Sequence, residues 1–243
     1  KKALPIAVKA LKISKSVNGE DHSDTITALN NLAEVYQAQG EYQKAQKLVE
    51  RSIKIAGTLY GVKSQSVVIF KNNLASLYQA QKKYVEAHKL YSNVLSQLKK
   101  SFGEKHLGYI ISLANLASLY QAEGNYEKAR ETFEKVIDLR IEVLGEEHPD
   151  TISTYDELAQ LHQVKGKYDL AGPLYDEALD LSANINGEDH PKTVKIRIHL
   201  ANLRYVEQEF EQAEELYQAV LDVYAETYGA KSPKRLQILN KLG

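Results

Sequence analysis

Residues 72–91 read NNLASLYQAQKKYVEAHKLY, and in this stretch two short helical patterns meet at a tight polar turn. Sliding the sequence along itself by 42 residues brings close relatives of the stretch into register without an insertion. Gly19, Gly61, Gly103, Gly145, Gly187 and Gly229 share one position of the resulting unit. Leu32, Leu74, Leu116, Leu158, Leu200 and Leu242 share another, thirteen residues later. Ala33, Ala75, Ala117, Ala159 and Ala201 follow those leucines, while Ala45, Ala87, Ala129, Ala171 and Ala213 mark the second half of each unit. A repeat of this length is the signature of a solenoid, because one unit alone cannot bury its apolar face and stacked neighbours can.

Working outward from that stretch, residues 1–18 align with the second half of a unit. Full units follow at 19–60, 61–102, 103–144, 145–186 and 187–228, and a partial one occupies 229–243. No linker or composition break interrupts them, so the expectation is a single continuous array over 1–243. Each unit holds two helices, A and B. Ile26, Leu29, Leu32, Ala33, Val35 and Tyr36 recur at helical spacing in the first helix A. The pattern stops at Gly40, Gly124 and Gly166, where a missing Cβ permits the left-handed conformation that ends helices. Lys82 and Gln208 replace that glycine and should make less relaxed turns.

The expected A helices span 24–39, 65–81, 107–123, 149–165 and 191–207. The B helices should span 42–59, 84–101, 126–143, 168–185 and 210–227, with Ala45, Leu48, Val49, Ser52, Ile53 and Ala56 on the first inner face. Pro149, Pro191 and Pro233 suit a first helical position, and Ser64 and Ser232 suit N-caps. Pro5 and Pro173 fall near the start of a helix B, where a kink or a delayed start is expected. Lys71 and Arg197 stand where other units have Leu29, Leu113 and Tyr155, so Phe70 and Ile196 should take over the packing there. Twelve of the sixteen tyrosines recur on four unit positions, as packing residues do.

Composition narrows the function. The net charge of −1 gives no overall attraction to nucleic acid or to an anionic membrane. No apolar run approaches the roughly 18 residues that span a bilayer. The absence of cysteine rules out disulfides, thiolate metal sites and thiol nucleophiles. No Asn-x-Ser/Thr acceptor occurs, which points to an intracellular, cytoplasmic setting. The chain lacks methionine and opens in mid-unit at Lys1, so it reads as a piece of a longer protein.

The Leu-Ala pair, the Tyr four residues after that Leu, and the Ala early in helix B resemble the tetratricopeptide repeat. The unit exceeds the usual length of about 34 residues. LNNLA at 29–33, NNLA at 72–75, GEEHPDT at 145–151 and GEDHP at 187–191 make it similar to the lengthened repeats of kinesin light chains. That resemblance implies an all-α, right-handed solenoid of antiparallel helix pairs, with the ligand groove on the concave face lined by helix A. It also implies a non-enzymatic scaffold that binds a protein or peptide and needs no cofactor. By unit position the expected groove contains Asn30, Asn31 and Gln37, then Ile69, Asn72, Asn73 and Gln79, then Ile111, Asn115 and Gln121. Asp156, Glu157, Lys195 and His199 continue it in later units. Asparagine and glutamine can both donate and accept, which suits an extended peptide backbone. Basic residues that clamp a ligand carboxylate in some relatives are not reproduced, so that ligand preference does not carry over.

Other chemistry is poorly supported. His22, His106, His148 and His190 recur once per unit, which sets neighbours on the order of 10 Å apart. Metal ligands must converge to about 2 Å from one point, so turn and capping roles are expected for these histidines. The segment GTLYGVKS at 57–64 has the wrong spacing for a phosphate loop and no preceding buried strand. No carboxylate pairs with an identifiable activating neighbour, so no catalytic residue is assigned. Charge is uneven: the second unit has seven Lys/Arg and one acid, the fourth two and nine, the fifth four and nine. Two further readings stand beside the scaffold: a regulatory arm of a larger ATPase, protease or signalling protein, and an architectural repeat that self-associates through open ends.

Overall fold

The computed structural model describes residues 3–229 and 232–242, the side chains of 241 and 242 excepted. Leu242, on the repeating leucine position, is therefore outside the described side chains. Among the described residues there are twelve helices and no strand. The B-type helices are α1 (Ala3–Asn18), α3 (Tyr42–Tyr60), α5 (Tyr84–Phe102), α7 (Tyr126–Leu144), α9 (Tyr168–Asn186) and α11 (Phe210–Tyr228). The A-type helices are α2 (Ser23–Ala38), α4 (Gln65–Ala80), α6 (Leu107–Ala122), α8 (Pro149–Val164), α10 (Pro191–Val206) and α12 (Pro233–Leu242). Every expected boundary in the five full units lies within one residue of these. No described helix is long and apolar enough to cross a membrane.

The chain forms two compact units, Lys1–Thr132 and Phe133–Gly243, and the division falls inside α7. In each, consecutive helices pack pairwise, and neighbouring A helices also meet, α4 with α6 and α8 with α10. In the first unit one core cluster joins Ala33 of α2 and Ala45 and Val49 of α3 to Leu74 and Leu77 of α4. In the second, Ala159 of α8 and Ala171 and Tyr175 of α9 meet Leu200 and Leu203 of α10. Each cluster thus needs helix A, helix B and the next helix A. Phe70 packs on two such clusters and Ile196 is buried, as expected from the displaced Lys71 and Arg197.

Helix starts follow the capping chemistry. The Nδ1 atoms of His22, His106, His148 and His190 accept backbone N–H bonds from Asp24, Gly108, Asp150 and Lys192 at 3.2, 3.1, 3.1 and 3.3 Å. The hydroxyls of Ser64 and Ser232 accept from Val67 and Arg235. The A-to-B turns carry the expected strain, with Lys82 and Gln208 at φ 58° and 66° where Gly40, Gly124 and Gly166 take 76°, 80° and 70°. Of the kink or delayed start expected at Pro173, the delayed start does not occur. Helix α9 begins at Tyr168 like its counterparts and runs through Pro173, so the Asp169 carbonyl forgoes its usual N–H partner.

Relieving the two non-glycine turns should stabilise the fold. Lys82→Gly or Gln208→Gly is expected to raise unfolding free energy by about 0.5–1 kcal/mol in urea titrations, and Gly40→Ala to lower it by about 1 kcal/mol. A cap loss should act in the same range: His148→Ala lowers stability by about 0.5–2 kcal/mol and His148→Asn largely restores it. Chelator should leave the melting temperature of the wild type unchanged, since these imidazoles serve helix ends.

Candidate functional site

The helix A positions that expose polar side chains do so in two chemical versions. In the first unit the links between neighbouring A helices are neutral. The Asn73 amide of α4 donates to Asn30 Oδ1 of α2 at 2.9 Å, and the Asn30 amide donates to Glu34 Oε1 at 2.8 Å. Asn72, 7% exposed, donates to Ser112 Oγ of α6 at 2.8 Å. Ser112 in turn donates to the Gly108 carbonyl at 2.7 Å, which makes it an acceptor toward Asn72. The Asn72 Oδ1 atom is then buried without a partner among the described residues. Gln79 Nε2 donates to the Ser118 carbonyl at 3.2 Å. Asn30, Asn72, Asn73 and Gln79, expected as ligand contacts, therefore also tie one repeat to the next.

Other expected residues of this face are not committed. Asn31 is exposed and lines an open depression between α1 and α2 with Ile13, Val17 and Thr27. Asn115, Gln37 and Gln121 are half-buried and show no side-chain hydrogen bond among the described residues. Ile69 and Ile111 are 48% and 46% exposed, each one helical turn before an asparagine, Asn73 and Asn115.

In the second unit the links are charged. Asp156 of α8 is 3% exposed and receives both Lys195 Nζ at 3.1 Å and His199 Nδ1 at 2.6 Å from α10. Burial pushes the Asp156 carboxyl up, but the bonds and charges of His199 and Lys195 outweigh it and hold it below the ordinary value. Beside it Glu157 is pushed up, chiefly by burial. The Tyr175 ring centre lies 6.0 Å from that of His199, and its hydroxyl donates to Gln163 Oε1 at 2.8 Å. Three expected residues from separate sequence positions thus form one cluster, but its carboxylate is already satisfied.

Sequence reasoning missed Arg140. It is 8% exposed, donates to the Asp150 carbonyl at 2.6 Å and to Thr154 Oγ1, and is held below its ordinary pKa by burial. Its unit position carries Ala56, Leu98 and Ser182 elsewhere, so an arginine among small or apolar counterparts was the available signal. Arg197, flagged by the same logic, is buried and pairs with Glu188.

Stacked helix pairs with small residues at each crossing define a helical repeat protein. The tetratricopeptide-repeat profile matches residues 1–57, 67–142, 109–163 and 150–209, and a second profile of that description matches 193–234. The chain belongs to the tetratricopeptide-repeat family. A kinesin light chain candidate of Podosopora anserina with nearly identical TPR-like repeats shares 27% identity over 87% of this chain and 99% of its own, at a TM-score of 0.67. BtubC (BKLC) from P. vanneervenii is similar at 19% identity over 94% of this chain and 92% of its own, TM-score 0.76. NprR in complex with its cognate peptide NprX superposes over 95% of this chain and 65% of its own at 17% identity, TM-score 0.65. No curated protein matches the chain significantly.

The Asp156 cluster makes a prediction with a definite sign. A depressed carboxylate stabilises the fold above its unfolded pKa of about 3.9, and that contribution is lost as pH falls through the folded value. At neutral pH, Asp156→Asn should lower stability by about 1–2 kcal/mol, because Lys195 is well exposed and is not stranded in the core. Urea titrations over a pH series should show the gap to wild type closing toward acid.

Proposed function

We propose that this chain is a non-enzymatic protein-interaction scaffold, and that helix A of its first three full repeats holds an extended, largely uncharged peptide segment. The observation that carries the reading is the recurring pair of an exposed isoleucine and an asparagine one turn later, Ile69 with Asn73 and Ile111 with Asn115. Apolar contact to the isoleucines would select side chains, and the amides would fix the backbone. The hydrogen-bond pattern leaves room for a donating ligand: beside its bond to Asn30, Asn73 keeps its Oδ1 as well as a second N–H, and Asn115 retains both functions. Backbone N–H groups of an extended peptide supply such donors at regular intervals. NprR, with a similar fold, is seen with a peptide, which supports this class of ligand without naming one here. Asp156, Lys195 and His199 lie outside this proposal, since the carboxylate there already accepts from the other two.

End-to-end self-association is the weaker reading. Helix α1 does expose Ile6, Ile13 and Val17. Lys9, Lys12 and Lys15 interrupt that apolar face with charge, Lys15 pairing with Glu20.

Affinity capture with the wild-type chain, followed by mass spectrometry, would supply a partner. The double change Asn73→Ala, Asn115→Ala should then weaken its binding roughly five- to 150-fold, as expected for two hydrogen bonds of about 0.5–1.5 kcal/mol each. Unchanged affinity would refute the site. Asn73→Ala also removes the link to Asn30, so thermal melts must accompany the titration.

A further inference from the structure

Two successive turns in the first unit depart from the chemistry of their counterparts. The B-to-A turns Gly19-Glu20-Asp21-His22, Gly145-Glu146-Glu147-His148 and Gly187-Glu188-Asp189-His190 are acidic. The α3–α4 turn instead reads Gly61-Val62-Lys63-Ser64, and the α5–α6 turn reads Gly103-Glu104-Lys105-His106. The α11–α12 turn, Gly229-Ala230-Lys231-Ser232, shares the basic lettering but lies partly outside the described residues. Before the glycine stand Tyr60 and Phe102, where Asn18 and Asn186 precede two of the acidic turns.

These substitutions lie together. Gln97 Nε2 of α5 donates to the Lys63 carbonyl at 3.3 Å, which sets the α3–α4 turn against the C-terminal half of α5. The last turn of that helix supplies Lys99, Lys100 and Phe102. Val62, Phe102, Tyr60 and Leu107 are 68%, 59%, 49% and 46% exposed. The Phe102 ring is held outward by stacking on His106, with ring centres 4.6 Å apart. Glu104 is neutralised by Lys99, while Lys63 and Lys100 have no carboxylate partner among the described residues. An aromatic and aliphatic edge with uncompensated positive charge, in the interior of an array, marks a contact surface better than it marks a solvated turn.

We propose that this edge docks an acidic segment of a protein partner that carries leucine or aromatic side chains. Its carboxylates would meet Lys63 and Lys100, and its apolar side chains would cover Val62, Phe102 and Leu107. A lipid surface fits less well, because polybasic lipid recognition takes clusters of roughly four to eight Lys/Arg, and the lysines here, Lys63, Lys99, Lys100 and Lys105, share the edge with Glu104. The edge is separate from the helix A face and does not depend on the peptide reading above.

Fluorescence anisotropy with a short labelled peptide alternating Glu with Leu and Phe tests the proposal. Binding is expected at low salt and should weaken as salt rises. Lys63→Glu with Lys100→Glu, and separately Val62→Ser with Phe102→Ser, should each weaken it by about tenfold or more. Asn115→Ala should leave it unchanged. These positions are exposed, and circular-dichroism melts verify that each variant folds. Equal binding of the Lys-for-Glu peptide or of a Ser-for-apolar peptide would overturn the proposal. So would absence of binding, indifference to both double variants, or capture by phosphatidylserine vesicles without peptide binding.

Discussion

The contact on which everything else depends is the crossing of helix A and helix B at paired alanines. Ala33 and Ala45, Ala75 and Ala87, Ala117 and Ala129, Ala159 and Ala171, and Ala201 and Ala213 are all at most 2% exposed. Methyl groups at that point let two backbones approach closely, and a larger side chain would overpack the contact by about 1–3 kcal/mol. Close approach at one level leaves room at the next. The large fully buried rings of Tyr91, Phe133, Tyr175 and Tyr217 occupy a single position four residues beyond the helix B alanine. The crossing also dictates a tight A-to-B turn, which is why Lys82 and Gln208 accept left-handed backbone angles that glycine would adopt more easily.

Those features were legible because they are local. Gly at a helix end, His or Ser at an N-cap, and Pro at a first helical position each act through the residues beside them. Helix ranges could therefore be read to within a residue. At Pro173 only the delayed-start half of the expectation fails, for the complementary reason: packing of Ala171 and Tyr175 at zero exposure overrides a local preference to start the helix late.

The candidate site was only half legible. Periodicity shows which side of helix A a residue occupies, but not what the neighbouring helix offers it. Asn72 reads as a groove amide in sequence, yet it is buried because Ser112, 40 residues away, presents a hydroxyl to it. The equivalent residue of the fourth repeat is Asp156, and it is buried against Lys195 and His199 for a parallel reason. Arg140 escaped notice because its partners are a backbone carbonyl and a threonine, neither of which a charge pattern reveals.

One consequence joins stability to binding. The side chains that join adjacent A helices lie at the same unit positions as those expected to meet a ligand, so the two roles compete for donors and acceptors. Where the link uses a carboxylate, as at Asp156, each oxygen already accepts a bond and the group is buried, so it is poorly placed to meet a ligand. Where the link uses an amide, as between Asn73 and Asn30, only one function is consumed and the other stays available. A ligand that donates to Asn73 Oδ1, or accepts from its second N–H, can therefore bind without loosening the repeats, whereas one that takes the N–H bonded to Asn30 must break their connection. On the reading proposed here, neutral amides let the first unit keep its inter-helix links while its face is occupied, and the charged cluster of the second unit trades that availability for a stronger clasp.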